Sequence, residues 1–306
     1  MKFFAILVSC ILSLTMLACS EKPQETSKRL ESPYFQAADH LVKVDGLDIR
    51  YRDEGPKNAQ TLIMVHGFTS SLETWDTVAD DLSVDYRVIR LDLPGHGLTG
   101  PDPQERYSNQ ETVAILRGFI DALKVENSVL IGNSLGGLVS WRLAEQYPEK
   151  ISKLVLISPG GFSINGVTDT PVEVPVMLKL YLTKAPLAGV KQATAALYSD
   201  PTKLSESRLN ILYDMMQQPG NGEAFVRRLE KFTLPDPTSD LAKIKTPTLI
   251  IWGEGDKMIP SAQANQFLEA LPNATLKFYE NAGHIPQEEK PEQLTHDIRG
   301  FLERAE

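Results

Sequence analysis

The chain is predicted to be an α/β protein: a mostly parallel central sheet of about eight strands flanked by helices, with a helical segment inserted before the last two strands. Three observations carry this. Short apolar, β-branched runs alternate with longer stretches of helical period, the pattern of strands joined through crossover helices. The later runs, among them Val129-Leu130-Ile131 and Leu249-Ile250-Ile251, are continuously apolar, as strands covered on both faces should be. Between Gly160 and Lys243 no strand is convincing, and seven prolines punctuate a helical text.

Taken in order, residues 41–44 and 47–52 read as two strands joined across Asp45-Gly46, a turn dipeptide that makes an antiparallel hairpin. Further strands are expected at 61–65, 87–91, 128–131, 153–157, 248–252 and 275–279. Helical period marks 71–82, 109–123, 136–147, 262–271 and 291–303. The interval 160–243 is read as a cap over a pocket, its apolar surface supplied by Met177-Leu178, Leu180-Tyr181-Leu182, Leu212-Tyr213 and Met215-Met216. The domain division is therefore 40–159 and 244–306 for the sheet domain, with 160–243 inserted.

The 306 residues carry a net charge of −9 and no Lys/Arg cluster beyond Lys28-Arg29 and Arg227-Arg228, so the electrostatic footprint of a nucleic-acid binder is absent. Neither a metal-ligand cluster nor a dinucleotide fingerprint occurs, and no cofactor is implied. The N-terminus differs from the rest: Lys2 precedes an apolar run from Phe3 to Ala18, which is short for a membrane span and has the pattern of a signal peptide. With Cys19 following Ala18, residues 1–18 resemble a bacterial lipoprotein signal. The resemblance implies a lipid on Cys19 as the mature N-terminus, a membrane surface as partner, and, with Ser20 next, the outer membrane of a Gram-negative host. A soluble secreted or periplasmic form is the alternative. Residues 19–39 read as a polar tether, and Cys10 and Cys19 are the only cysteines, leaving none for a disulfide in the mature chain.

Gly132-Asn133-Ser134-Leu135-Gly136 matches Gly-x-Ser-x-Gly, follows an apolar strand and opens a helix, the context of a nucleophile elbow. The glycines have a steric reason, because the helix crosses close to the strand at a strained serine. A serine hydroxyl needs a base. Of five histidines, His284 sits on the loop after the strand 275–279, where open sheets place their sites. Asp256, after the strand 248–252, is the carboxylate expected to orient it, with Glu254 the other acid on that loop. The N–H groups of Phe68 and Leu135 are the expected oxyanion donors. His66 and the turn Asp92-Leu93-Pro94-Gly95-His96-Gly97 read as structural.

His66-Gly67-Phe68, Asp92 to Gly97, Gly132 to Gly137, Gly253-Glu254-Gly255-Asp256 and Gly283-His284-Ile285-Pro286 together resemble the α/β-hydrolase superfamily, from about His40 to the C-terminus less the cap. The resemblance implies that fold and a serine hydrolase cleaving small or medium-sized carboxylic esters through Ser134, His284 and Asp256. Gly-Asn-Ser-x-Gly-Gly and Pro159-Gly160-Gly161 are also similar to carbon-carbon hydrolases of ring-cleavage products. Against that subgroup, no Gly-rich segment follows His66-Gly67, Lys257 stands where Arg is usual and Ile285 where Trp is usual. Haloalkane dehalogenases and epoxide hydrolases carry aspartate at the elbow, unlike Ser134. A low-turnover ligand-binding protein on the same fold is the rival from another class.

Overall fold

The structure, a computed structural model, describes residues 31–304. Among the described residues, 31–37 belong to a unit apart from the one that Ala38 opens. The expected signal sequence, Cys19 and most of the expected tether lie outside the described residues.

Eight strands form one sheet: β1 (Asp39–Val44), β2 (Leu47–Glu54), β3 (Thr61–Val65), β4 (Arg87–Leu91), β5 (Ser128–Asn133), β6 (Ile151–Ile157), β7 (Thr248–Gly253) and β8 (Ala274–Tyr279). Their spatial order is β1-β2-β4-β3-β5-β6-β7-β8. Only the β1–β2 and β2–β4 pairs are antiparallel. The β1–β2 hairpin turns at Asp45 (φ 46°) and Gly46 (φ 89°), two successive left-handed residues as a two-residue turn matched to strand twist requires.

The helices are α1 (Asp76–Leu82), α2 (Asn109–Ala122), α3 (Leu135–Gln146), α4 (Val176–Lys184), α5 (Leu187–Ala195), α6 (Glu206–Met216), α7 (Asn221–Lys231), α8 (Thr238–Leu241), α9 (Gln263–Ala270), α10 (Pro286–Glu289) and α11 (Pro291–Leu302). Strand side chains alternate between two cores, as a period of two demands. Ile63 and Val65 of β3 face α2, α3 and α9. Leu62 and Met64 face α1 and α11. This is why the runs are apolar throughout.

The helical insertion is α4 to α8, between β6 and β7. Its own core gathers Leu182, Val190, Leu209, Met216 and Phe225. Arg228 of α7 fastens it down, donating to the carbonyls of Tyr107 (3.1 Å) and Pro94 (3.0 Å) and to Thr112 Oγ1 (2.8 Å). Burial without a carboxylate partner pulls this guanidinium down to about 10. One expectation is corrected: Met177, Leu178 and Leu180 are exposed rather than turned inward, because α4 meets the rest of the cap mainly through Leu182.

A buried ion cluster, absent from the sequence reading, holds the antiparallel edge to the loop after β3. Arg50 pairs with Asp39 (2.7 Å), Glu73 (2.7 Å) and Asp92 (3.1 Å), all four buried. Asp92 also accepts from the N–H of Leu72 (2.8 Å) and Leu98 (2.9 Å), and a Cβ on Gly97 would strike its carboxylate at 2.1 Å. The Asp-Leu-Pro-Gly-His-Gly turn is thereby explained: its aspartate braces the loops of the site.

Candidate active site

Ser134 stands between β5 and α3 with φ 55° and ψ −116°, a strained backbone for a residue with a side chain. The strain is held from three sides. Ser134 N–H donates to Ile157 O (3.1 Å), while its carbonyl accepts from Leu138 (3.0 Å) and Gly160 (3.0 Å). The flanking glycines are obligatory by contact: a Cβ on Gly132 would lie 2.4 Å from Gly136 O, and one on Gly136 would lie 2.1 Å from Val65 O. The hydroxyl is thus presented, half-buried, at the end of β5.

His284 is buried on the loop after β8, and its Nδ1 meets Asp256 Oδ2 at 2.9 Å. The other oxygen of Asp256 accepts from Met258 N–H (2.8 Å) and Ile259 N–H (3.0 Å), and the carboxylate is fully covered. An acceptor-only carboxylate at Nδ1 requires the proton there and leaves Nε2 as the lone-pair nitrogen. Glu254 is exposed and bonds through its backbone to Tyr279 O (3.1 Å), away from the imidazole. Of the two acids on that loop, the structure joins Asp256 to His284.

The three loops are tied together by groups that sequence reasoning missed. Asn133, beside Ser134, donates through Nδ2 to Ile157 O and to His284 O, both at 3.1 Å, while its Oδ1 accepts from Gln287 (3.2 Å). His284 N–H donates to Leu197 O (2.7 Å) and Ser199 N–H to Glu289 (2.9 Å), so the cap segment between α5 and α6 pins the histidine loop. Glu288 receives Arg208 of α6 (2.8 Å), Tyr198 (2.5 Å) and Thr74 (2.5 Å). Burial alone would raise that carboxyl, but Arg208 and the two hydroxyls outweigh it and hold it below the usual carboxylate range. A signal existed only for Asn133, which lies inside the elbow motif; Arg208 and Glu288 are 80 residues apart in the chain.

The loop after β3 brings Phe68 to the elbow: a Cβ on Gly67 would sit 3.1 Å from Ser134 Cβ. Among the described residues, no acceptor bonds the N–H of Phe68 or of Leu135. Donors left without a protein acceptor, one next to Ser134 in the chain and one next to the Gly67 that touches it, are of the kind a developing oxyanion would need. The Phe68 ring meets Phe225 of α7 edge-on at 5.5 Å, which seats the cap on this loop.

His66 and His96 serve the scaffold. His66 Nε2 accepts from Leu93 N–H (3.0 Å), so Nδ1 carries the proton and donates to Gly67 O (2.7 Å). Complete burial lowers His66 to about 4 and His96 well below its ordinary value. Between the ordinary value near 6.5 and about 4, the unfolded chain therefore binds a proton that folded His66 refuses, and stability falls as pH falls through that window. A His66→Asn chain lacks this titration. The stability advantage of wild type over His66→Asn is expected to shrink by about 2 kcal/mol between pH 7 and pH 5 in urea unfolding; a constant difference would contradict a neutral His66.

A profile of the α/β hydrolase fold matches residues 60–291. YugF of Bacillus subtilis (strain 168), described as an uncharacterised hydrolase, is 30% identical over 268 residues, covering 85% of this chain and 96% of its own. The 2-hydroxy-6-oxononadienedioate/2-hydroxy-6-oxononatrienedioate hydrolase 2 of Pseudomonas putida is 27% identical over 264 residues, covering 84% and 92%. Among solved structures, that of a membrane phospholipase A described as a bacterial virulence factor aligns with a TM-score of 0.74 at 25% identity, over 92% of this chain and 90% of that one. Sheet order, elbow and profile agree, and the chain belongs to the α/β hydrolase fold family.

Proposed function

We propose that this protein is a serine hydrolase that cleaves carboxylic esters through an acyl-enzyme. The observation that carries the reading is the 2.9 Å bond from His284 to Asp256, at the same carboxyl end of the sheet as the strained Ser134. Ser134 Oγ attacks the ester carbonyl while His284 Nε2 takes its proton, and the oxyanion faces the N–H groups of Phe68 and Leu135. Collapse breaks the C–O bond and His284 returns the proton to the departing alcohol. Water then attacks the acyl-enzyme, deprotonated by the same imidazole, and frees the acid and Ser134. Asp256 stabilises the imidazolium in both halves.

The names of the relatives back a second reading, carbon-carbon hydrolysis, more than the ester reading: the Pseudomonas putida relative and a 26% identical Comamonas testosteroni protein, a 2-hydroxy-6-oxo-6-phenylhexa-2,4-dienoate hydrolase, are both named for it. The phospholipase likeness supports the ester reading instead. Both chemistries would use the same Ser134 and differ in the leaving group. A panel of nitrophenyl esters, a phospholipid and a 2-hydroxy-6-oxo-dienoate separates them. The expected result is kcat/KM at least about 100-fold higher on an ester, nearly 3 kcal/mol of transition-state preference. The reverse order would install the second reading, and no turnover of any member would leave a binding protein.

The proposal extends to the N-terminus, where a lipid on Cys19 would hold the mature chain at a membrane. One acyl chain anchors marginally and several hold firmly. The mass of the mature N-terminal peptide checks this, and a peptide beginning elsewhere without lipid mass would refute it.

A further inference from the structure

Ten large apolar side chains are exposed among the described residues, and six of them, Val172, Val176, Met177, Leu178, Leu180 and Leu187, fall within residues 172–187. Helix α4 is the centre of the cluster. Its sequence, VMLKLYLTK, is apolar at six of nine positions, yet only Leu182 is buried. Val176 and Met177 are 77% and 73% exposed. A helix that is apolar around most of its surface belongs against a partner, and among the described residues Leu182 is its one fully buried side chain, with Tyr181 half-buried beside it. Met177, Leu180, Tyr181, Lys184 and Pro186 line a shallow groove of about 290 Å³ on its outer side. Contiguous apolar surface of this kind marks a site of interaction.

The chemistry around the patch selects the occupant. Residues 172–191 hold three lysines, Lys179, Lys184 and Lys191, against one acid, Glu173, in a chain whose net charge is −9. Lys179 is paired with Glu230 (2.6 Å), while Lys184 closes one end of the groove. Apolar side chains bordered by lysines fit the boundary of a bilayer, where acyl chains lie beneath phosphates. The chain outside the described residues points the same way. It contains the apolar run ending at Ala18-Cys19, and the twenty-one residues from Cys19 to Asp39 can reach at most about 75 Å, so a lipid on Cys19 would keep this domain beside a membrane.

We infer that α4, with Val172 and Leu187, seats in the interfacial layer of a lipid bilayer, presenting the cap to substrate carried in that layer. The nature of the substrate rests on the ester reading above; the docking does not. Helix α4 lies in the cap that packs on Phe68 and on the His284 loop, so the docked face belongs to the element that borders the site.

The test uses the full chain carrying Met177→Trp, with Val84→Trp as control. Val84 is 70% exposed and precedes β4, at the end of the sheet opposite the site. The native Trp75, Trp141 and Trp252 are fully buried and make a steady background. With vesicles of mixed phosphatidylethanolamine and phosphatidylglycerol bearing brominated acyl chains, emission from position 177 is expected to shift to the blue and be largely quenched. Emission from position 84 should keep its value in buffer. Met177→Asp with Leu180→Asp should lower turnover of an ester embedded in the vesicles by about tenfold and leave turnover of a dissolved short-chain ester unchanged. Sedimentation with vesicles while position 177 stays unquenched would mean that the N-terminus alone binds, and would overturn the inference. So would a concentration-dependent dimer that Met177→Asp abolishes without lipid quenching, which would assign the face to a second copy of the chain. If Ser134→Ala retained its activity, the ester reading would fail while the quenching result stood.

Discussion

Replacing Ser134 by Ala is expected to abolish turnover, by a factor on the order of 10⁴ to 10⁶, and His284→Ala should do the same. Without Oγ no acyl-enzyme forms. Without the imidazole, the hydroxyl keeps its proton and attacks poorly at neutral pH. Because the two act in one step, the double variant should be scarcely worse than either single one, and whatever rate survives belongs to the Phe68 and Leu135 donors and to binding. Ser134 is half-buried and its strained backbone is held by hydrogen bonds of its main chain, which Ala retains, so the thermal midpoint should hardly move. Steady-state rates on the best ester, measured beside circular dichroism melts, check both halves. A folded Ser134→Ala protein with a tenth of wild-type activity would end the serine mechanism.

Asp256→Asn is the second large effect, on the order of 10⁴-fold in kcat by precedent in a serine protease. Local geometry fixes the reason. Asp256 Oδ1 accepts two backbone N–H groups, from Met258 and Ile259, so the amide of Asn must place its oxygen there and its NH₂ toward His284. Nδ1 would then have to accept, the proton would move to Nε2, and the nitrogen facing the reaction could no longer act as a base. Glu254→Gln, at an exposed side chain outside this hydrogen bond, should stay within about twofold of wild type, as surface substitutions usually do. Equal losses in the two variants, measured on one ester, would remove Asp256 from its proposed role.

Much of the architecture was legible in the chain. Each expected strand is present with ends shifted by at most two residues, and four of the five expected helices match within one residue at each end, while the one expected from 71 is α-helical only from Asp76, after a 3-10 turn over Leu72–Trp75. The apolar runs and the helical interval between β6 and β7 were readable because burial on two faces and helical period leave direct marks on composition. The elbow was readable too, since Gly132 and Gly136 answer to contacts that no other residue survives. Long-range pairing left no such mark. That Asn133 would grip the carbonyl of His284, that Arg208 would find Glu288, and that Arg50 would gather Asp39, Glu73 and Asp92 depended on which loops the sheet order brings together. A polar residue's spacing along the chain is silent about a partner that arrives through tertiary folding. The exposed face of α4 is the converse case. Its sequence demanded burial, but only the packing of the insertion decided that Leu182 would turn fully inward with Tyr181 half-buried beside it, leaving Val176, Met177 and Leu180 to the solvent because the small core closes around α5, α6 and α7 without them.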